Sequence, residues 1–413
     1  MRWQELRMNL RTLPFLESHV GTSDGVLELR DRPMPKLLVW QPEMIDWIFR
    51  SDARLRHPGG QSLTPLFGES SLLWAEGERH TAYRHALGPS LRGRKLTEQK
   101  EAVADAVHAA IDRLTPGTVV ELLPWTRAIA LRVIARILFG HCEDDLLTAV
   151  TQWTERAFGA RHRTLVYRYL LGGIPRPGAE LDRMLVRAAK VNPDLRPRTL
   201  AARMLDGDGP LGGIGDTELR DAAISLMFAG HETTAAGAAW ALYWLDRNPK
   251  VRNEIREEIA ATDADGSDPA RVPLLAAAVS ETLRLTPPAS LAEHRVLTED
   301  GEVCGRMMAA GTKLTPAIYL AHHDPDVFGH PKRFDPSRFL GGRPPAHHYF
   351  PFGGGTRYCL GSQLAQLEIR MIVAGVLRRR EWRCVNPRAG GPRMRGNVMA
   401  PASTLRMRVL TCR

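Results

Sequence analysis

A chain of 413 residues is long enough to bury a large core, and its 44% apolar and 25% charged residues exclude a disordered or fibrous protein. A net charge of +10 admits nucleic acid, an anionic surface or an acidic protein as partner. The arginines are spread along the chain and are not interleaved with aromatics at any recognisable spacing, so an acidic protein partner is expected and nucleic acid is not. Cys142, Cys304, Cys359, Cys384 and Cys412 are odd in number and lack CxxC spacing. That argues against a disulfide framework or a zinc site and fits a reducing cytoplasm.

The chain starts MRWQELRMNLRTLPFL, with Arg and Glu mixed into every turn, and no run approaches the ~18 apolar residues of a membrane span. Neither a signal peptide nor a membrane anchor is expected. Strand-like pieces fall at Val26–Arg30 and 37–40, and helical spacing follows over 98–114, ended by Pro116 and Gly117, and over 124–139. A long helix is predicted from Asp216, placed as its N-cap, to about residue 246, with Asn248 and Pro249 closing it; it spans roughly 45 Å.

The otherwise apolar middle of that helix reads Ala229-Gly230-His231-Glu232-Thr233-Thr234, polar and Gly residues that are locally costly there. Two readings stand. One is a Gly/Ala packing seam with a hydrated Glu. In the other, the Thr233 hydroxyl bonds the Ala229 carbonyl four residues back and opens a groove for a small ligand such as dioxygen and a water, with Glu232 beside it as proton donor or acceptor.

Strand-like pattern returns between 295 and 318. Residues 350–361 then read Phe-Pro-Phe-Gly-Gly-Gly-Thr-Arg-Tyr-Cys-Leu-Gly, and 360–380 has helical periodicity. Cys359 is thereby placed at a helix N-terminus, where the dipole and free N–H groups favour a thiolate. Gly353 and Gly355 are expected to bring the backbone close and aim N–H groups at the sulfur, and Gly361 to let a flat cofactor lie against the helix.

This stretch resembles the cysteine-ligand loop of the cytochrome P-450 family, in which Phe and three Gly precede the iron ligand. Other segments match in order over nearly the whole chain, from about residue 20 to the end. Gly77-Glu78-Arg79-His80-Thr81-Ala82-Tyr83-Arg84 is similar to the family helix whose His and Arg reach a haem propionate, and Arg295 and Arg357 match the other two propionate contacts. Glu281-Thr282-Leu283-Arg284 resembles the buried Glu-x-x-Arg, and Arg338 in Phe334-Asp335-Pro336-Ser337-Arg338-Phe339 completes its triad; these three are read as structural. Arg357 stands where many bacterial members carry His, and Glu232 where many carry Asp.

The resemblance implies a mainly α fold with a smaller β-sheet region, one haem domain over 1–413. It implies haem b with the Cys359 thiolate as axial ligand, Ala229, Phe352 and Gly361 beside it, and Glu232 and Thr233 delivering protons to bound dioxygen. The implied activity is a monooxygenase inserting one oxygen atom from O₂ into a C–H or C=C bond of a mostly apolar small molecule, in secondary metabolism. The rivals are a peroxygenase or oxidative coupling enzyme on the same scaffold, and a non-catalytic haem sensor or carrier. No flavin or nicotinamide domain is fused, so a ferredoxin and ferredoxin reductase are the expected electron source, steered by Arg92, Arg94 and Lys95. Substrate is expected to face 58–73, 158–177, 225–232, 289–292 and 398–400, with Arg161, His162, Arg163 and Arg168 as polar possibilities.

Overall fold

The structure is a computed structural model that describes residues 2–412, except Ser23, Pro33, 60–62, Cys142, 160–177 and 192–197. Helices dominate and the sheets are small, as the expected fold class requires. The organising element is the 32-residue helix Asp216–Arg247, the central helix, whose middle is buried on nearly every side. A helix apolar all round belongs inside the molecule. Its N-cap is Gly215, in extended conformation and without a side-chain cap, rather than Asp216. Asp216 instead occupies the first turn, where a carboxylate suits the helix dipole, and pairs with Lys190 at 2.5 Å.

Small residues on the central helix mark where its neighbours cross. A Cβ on Gly230 would stand 2.8 Å from Ile134 of the helix Leu122–Phe139, and one on Gly237 would stand 2.8 Å from Ile369 of the helix Ser362–Arg379. The packing-seam reading therefore holds for Gly230. Helix Leu122–Phe139 starts two residues before the expected 124 and ends on Gly140 in left-handed conformation, whose N–H caps the Arg136 carbonyl. The expected 98–114 helix is Lys100–Asp112, entered through a 3-10 segment, Gly93–Gln99.

The largest sheet has four strands in the order Val26–Arg30, Lys36–Val39, Lys313–Pro316 and Arg295–Val296, with only the middle pair parallel. This pairing carries Arg295 from the last third of the chain to the neighbourhood of residues 40–57. A three-stranded sheet joins Val119–Glu121, Arg406–Cys412 and Arg380–Cys384, and two hairpins complete the sheets among the described residues: Gly301–Val303 with Arg306–Met308, and Arg393–Arg395 with Val398–Ala400.

Candidate functional site

Residues 350–361 form a loop closed on itself: the Gly353 N–H donates to the Phe350 carbonyl and the Cys359 N–H to the Phe352 carbonyl, both at 2.9 Å. Gly353 and Gly355 have φ of 67° and 66°, a region side chains rarely adopt. Gly354 is extended, but a Cβ on it would fall 2.4 Å from the Phe49 ring, and one on Gly355 would fall 2.6 Å from Asp52. The glycine run thus admits residues 49–52 against the loop. It does not aim the amides of Gly353 and Gly355 at the sulfur, as expected; the amide directed there is that of Gly361, the N-cap of helix Ser362–Arg379. Cys359 is accessible, yet enough protein surrounds it that burial raises its thiol above the ordinary range, while the Gly361 N–H and the Arg84 charge pull it back. A Cβ on Gly361 would meet no protein atom within 4 Å, leaving open the space a flat cofactor needs.

Asp52 is the hub beneath this loop. It accepts hydrogen bonds from Arg295 Nε at 2.6 Å, from the Thr356 N–H at 2.7 Å and from Thr356 Oγ1 at 2.5 Å, and His57 Nε2 lies 3.0 Å away. Burial pushes its carboxyl up, but His57, Arg295 and Thr356 together outweigh it and hold the group well below the usual carboxylate range. Arg295 also donates to the Glu293 carbonyl at 2.5 Å and the Gly354 carbonyl at 2.9 Å. Three of its five N–H groups are thereby used within the protein, which leaves two for the propionate contact expected of it.

The other groups expected at an acidic cofactor are His80, Arg84 and Arg357. His80 and Arg84 lie one turn apart on the helix Gly77–Leu87. Arg84 donates to the Tyr358 carbonyl at 2.6 Å, Arg357 to the Ala75 carbonyl at 2.7 Å, and Arg357 Nε is buried without a partner. Burial, then the charges of Arg357 and Arg84, depress His80 to about 4. Two arginine charges, one with an orphaned donor, beside an imidazole kept neutral fit a cofactor bearing carboxylates.

On the central helix, Thr233 Oγ1 donates to the Ala229 carbonyl at 2.9 Å. Ala229 is exposed and Thr233 half-buried although their helix is otherwise core, so this turn faces open space. Glu232 is buried and points into protein: Arg127 Nη2 lies 2.5 Å away, His231 Nε2 3.3 Å and Arg395 Nε 3.4 Å. Arg127 and Arg395 also bind Glu155. Burial pushes Glu232 up, but His231, Arg127 and Arg395 outweigh it and hold it at about 2. Of the donor and acceptor roles foreseen for Glu232, the ionised acceptor is the one its surroundings support.

Arg284 makes a two-pronged pair with Glu281 at 2.7 and 2.9 Å, and Arg338 Nε stands 3.6 Å from the same carboxylate. Arg284 also donates to the His322 carbonyl at 2.7 Å, while His322 Nε2 accepts the Phe350 N–H at 3.0 Å. The expected triad thus reaches the cysteine loop through His322. Asp52, His57, Arg127, Arg395, Glu155 and His322 went unnoticed in the sequence because each lies outside any motif and, the Asp52–His57 pair apart, tens to hundreds of residues from its partners.

A family model described as Cytochrome P450 matches residues 180–408. A protein of Mycobacterium tuberculosis (strain ATCC 25618 / H37Rv) described as cytochrome P450 135B1 is 31% identical, over 90% of this chain and 81% of that protein. The chain belongs to the cytochrome P450 family. Cyclooctat-9-en-7-ol 5-monooxygenase of Streptomyces melanosporofaciens is 30% identical to this P450 over 90% of its length and 85% of the relative's. In fold it resembles the retinoic acid-bound cyanobacterial CYP120A1, with a TM-score of 0.83 at 21% identity, covering 99% of this chain and 97% of that one.

The cofactor of this P450 is accordingly haem held by a cysteine thiolate, and its class of activity is oxygen-incorporating oxidation. Phe228, next to Ala229 in the chain, sits in a cluster of aromatic rings among the described residues. Phe228 lies 5.0 Å from Phe67 and 4.8 Å from Phe158, with Trp153 edge-on to Phe67. One polar feature interrupts them, a buried Ser71–Ser225 hydroxyl pair at 2.7 Å. Arg161, His162, Arg163 and Arg168, with the rest of 160–177, lie outside the described residues.

Proposed function

We propose that this P450 inserts one oxygen atom from O₂ into a C–H or C=C bond of a mostly apolar small molecule of secondary metabolism, with Cys359 as the iron ligand. The observation that carries the reading is the Cys359 loop: an accessible sulfur at a helix start, beside His80, Arg84 and Arg357, the last with a buried Nε that has no partner among the described residues. A relative named for monooxygenation of cyclooctat-9-en-7-ol supports the substrate class, as does the aromatic cluster around Phe228.

His80, Arg84, Arg295 and Arg357 would hold the haem carboxylates, and Ala229, Phe352 and Gly361 would border its faces. When bound, haem supplies the activation of dioxygen and the delivery of one of its atoms to substrate. The protein's part is positional. Thr233, its proton given to the Ala229 carbonyl, offers lone pairs to a water or ligand in the groove and can turn to donate. Glu232 stays ionised between Arg127 and Arg395, so it orients water as a hydrogen-bond acceptor rather than storing a proton. The rings around Phe228 exclude bulk water and orient an apolar substrate. Residues 1–413 form one haem domain in this reading, and its electrons come from a ferredoxin and ferredoxin reductase in the cytoplasm.

The reduced, carbon monoxide-bound protein should show the strongly red-shifted haem band of thiolate ligation, and Cys359→Ser should abolish it. A band at the ordinary position in folded wild type, or its survival in the variant, removes Cys359 from this role. Product that requires O₂ and the ferredoxin system, rather than peroxide, then establishes the reaction class.

A further inference from the structure

The N-terminal helix Arg2–Leu10 buries Met8 in the core but turns Trp3, Leu6 and Leu10 outward, exposed by 63%, 41% and 45%. Residues spaced three and seven apart share one helix face, so the three form a stripe. The opposite side is anchored: Glu5 binds Lys36 at 3.1 Å and Arg30 at 3.5 Å, fixing the helix to the first β-hairpin. Arg30 in turn donates to the carbonyl of Met34, which is itself 42% exposed in the hairpin turn. A single exposed Leu is ordinary, but a Trp, two Leu and a Met on joined elements form a patch that calls for an occupant.

The surrounding charge says which. Arg7, Arg11 and Arg32 are exposed, and none has an ion-pair partner among the described residues. Over residues 2–17 and 30–36, six cations stand against three carboxylates. Apolar side chains including Trp, flanked by Arg, suit the headgroup region of an anionic bilayer, where the rings and aliphatic chains leave water and the guanidinium groups meet phosphate. A protein partner fits less well, because four side chains fall far short of the roughly 20–30 residues a side of a stable interface. No helix among the described residues is long and apolar enough to cross a membrane, so the contact is with its surface.

We infer that this face docks on an anionic phospholipid surface. Trp3, Leu6, Leu10 and Met34 enter the interface, and Arg7, Arg11 and Arg32 bind the headgroups. The inference does not depend on the proposed reaction. The test is flotation of the full-length holoenzyme with vesicles of phosphatidylcholine alone or with one third phosphatidylglycerol, at low and high salt. Binding should be at least about fivefold greater to the anionic vesicles at low salt and should fall with salt. It should drop by a similar factor in Trp3→Gln/Leu6→Gln/Leu10→Gln and in Arg7→Glu/Arg11→Glu, each with an unchanged melting temperature and haem spectrum. Wild type that ignores anionic vesicles, or variants that float as well as wild type, overturns the inference. So does concentration-dependent self-association in ultracentrifugation that the triple variant abolishes, which assigns the face to a second copy.

Discussion

Asp52 binds Arg295 and Thr356 from 243 and 304 residues away, and it sits where the cysteine loop, the four-stranded sheet and the segment after Pro42–Arg50 meet. Removing a member of a buried ion pair leaves the other charge stranded, at a cost of about 3–5 kcal/mol. Asp52→Ala should therefore lower the urea midpoint substantially and loosen haem retention, while Asp52→Asn keeps the shape and removes the charge. The folded-state pKa of Asp52 is depressed, so its contribution is complete above the ordinary carboxylate range and is lost as pH falls. Wild type should accordingly lose stability on acidification more steeply than Asp52→Asn; equal slopes in parallel urea titrations would show that the carboxylate charge is not what ties the loop down. Thr233 is a different case, because its four-residue spacing from Ala229 was readable in the sequence and the bond is formed. Thr233→Ala should retain haem and substrate binding while product formed per electron consumed falls several-fold, the electrons going to peroxide or water. An unchanged yield would reduce Thr233 to a packing residue. The pairing of Glu232 was not readable, since Arg127 and Arg395 stand 105 and 163 residues away and look like any surface arginines until the fold closes.

Element boundaries depend on local chemistry, and the departures from expectation follow it. Gly215 took the N-cap from Asp216 because its extended backbone alone turns the chain into the central helix, leaving Asp216 free to meet the dipole and Lys190. The glycine run at 353–355 was legible as a place of close approach, but the approaching group could not be read: it is the end of the helix Pro42–Arg50 with the residues after it, not the sulfur. Two glycines make the point measurable. A Cβ on Gly237 meets mainly the terminal methyl of Ile369, which can rotate away, whereas one on Gly354 meets three atoms of the Phe49 ring at 2.4–2.6 Å, which cannot. Gly354→Ala should cost about 1–3 kcal/mol, as overpacking of a tight contact does, and more than Gly237→Ala. Phe49→Leu should recover part of that loss, and a double-mutant cycle on the melting free energies measures the coupling. Additive losses would mean that the clash is relieved elsewhere.

At the scale of the whole molecule, the class of fold was legible because long helical periodicities and four motifs fall in one order, and each motif is local. What joins them was not, because the links are single ion pairs and hydrogen bonds between distant parts of the chain. The electron-donor surface belongs to this scale. Arg92, Arg94 and Lys95 are all exposed, and the Gly93 N–H between them donates to Gln363 Oε1 at 2.9 Å, on the helix that begins three residues after Cys359. The cluster is therefore pinned to the side of the molecule that carries Cys359, where an electron would have a short path to the proposed iron ligand. An acidic ferredoxin would be steered there by long-range attraction, which raises the encounter rate and fades as salt screens it. Reversing all three to Glu should slow ferredoxin-dependent reduction by about tenfold or more at low ionic strength. The difference should shrink at high salt, and substrate-binding spectra should stay unchanged. Equal reduction rates in a folded triple variant would place the docking surface on another face.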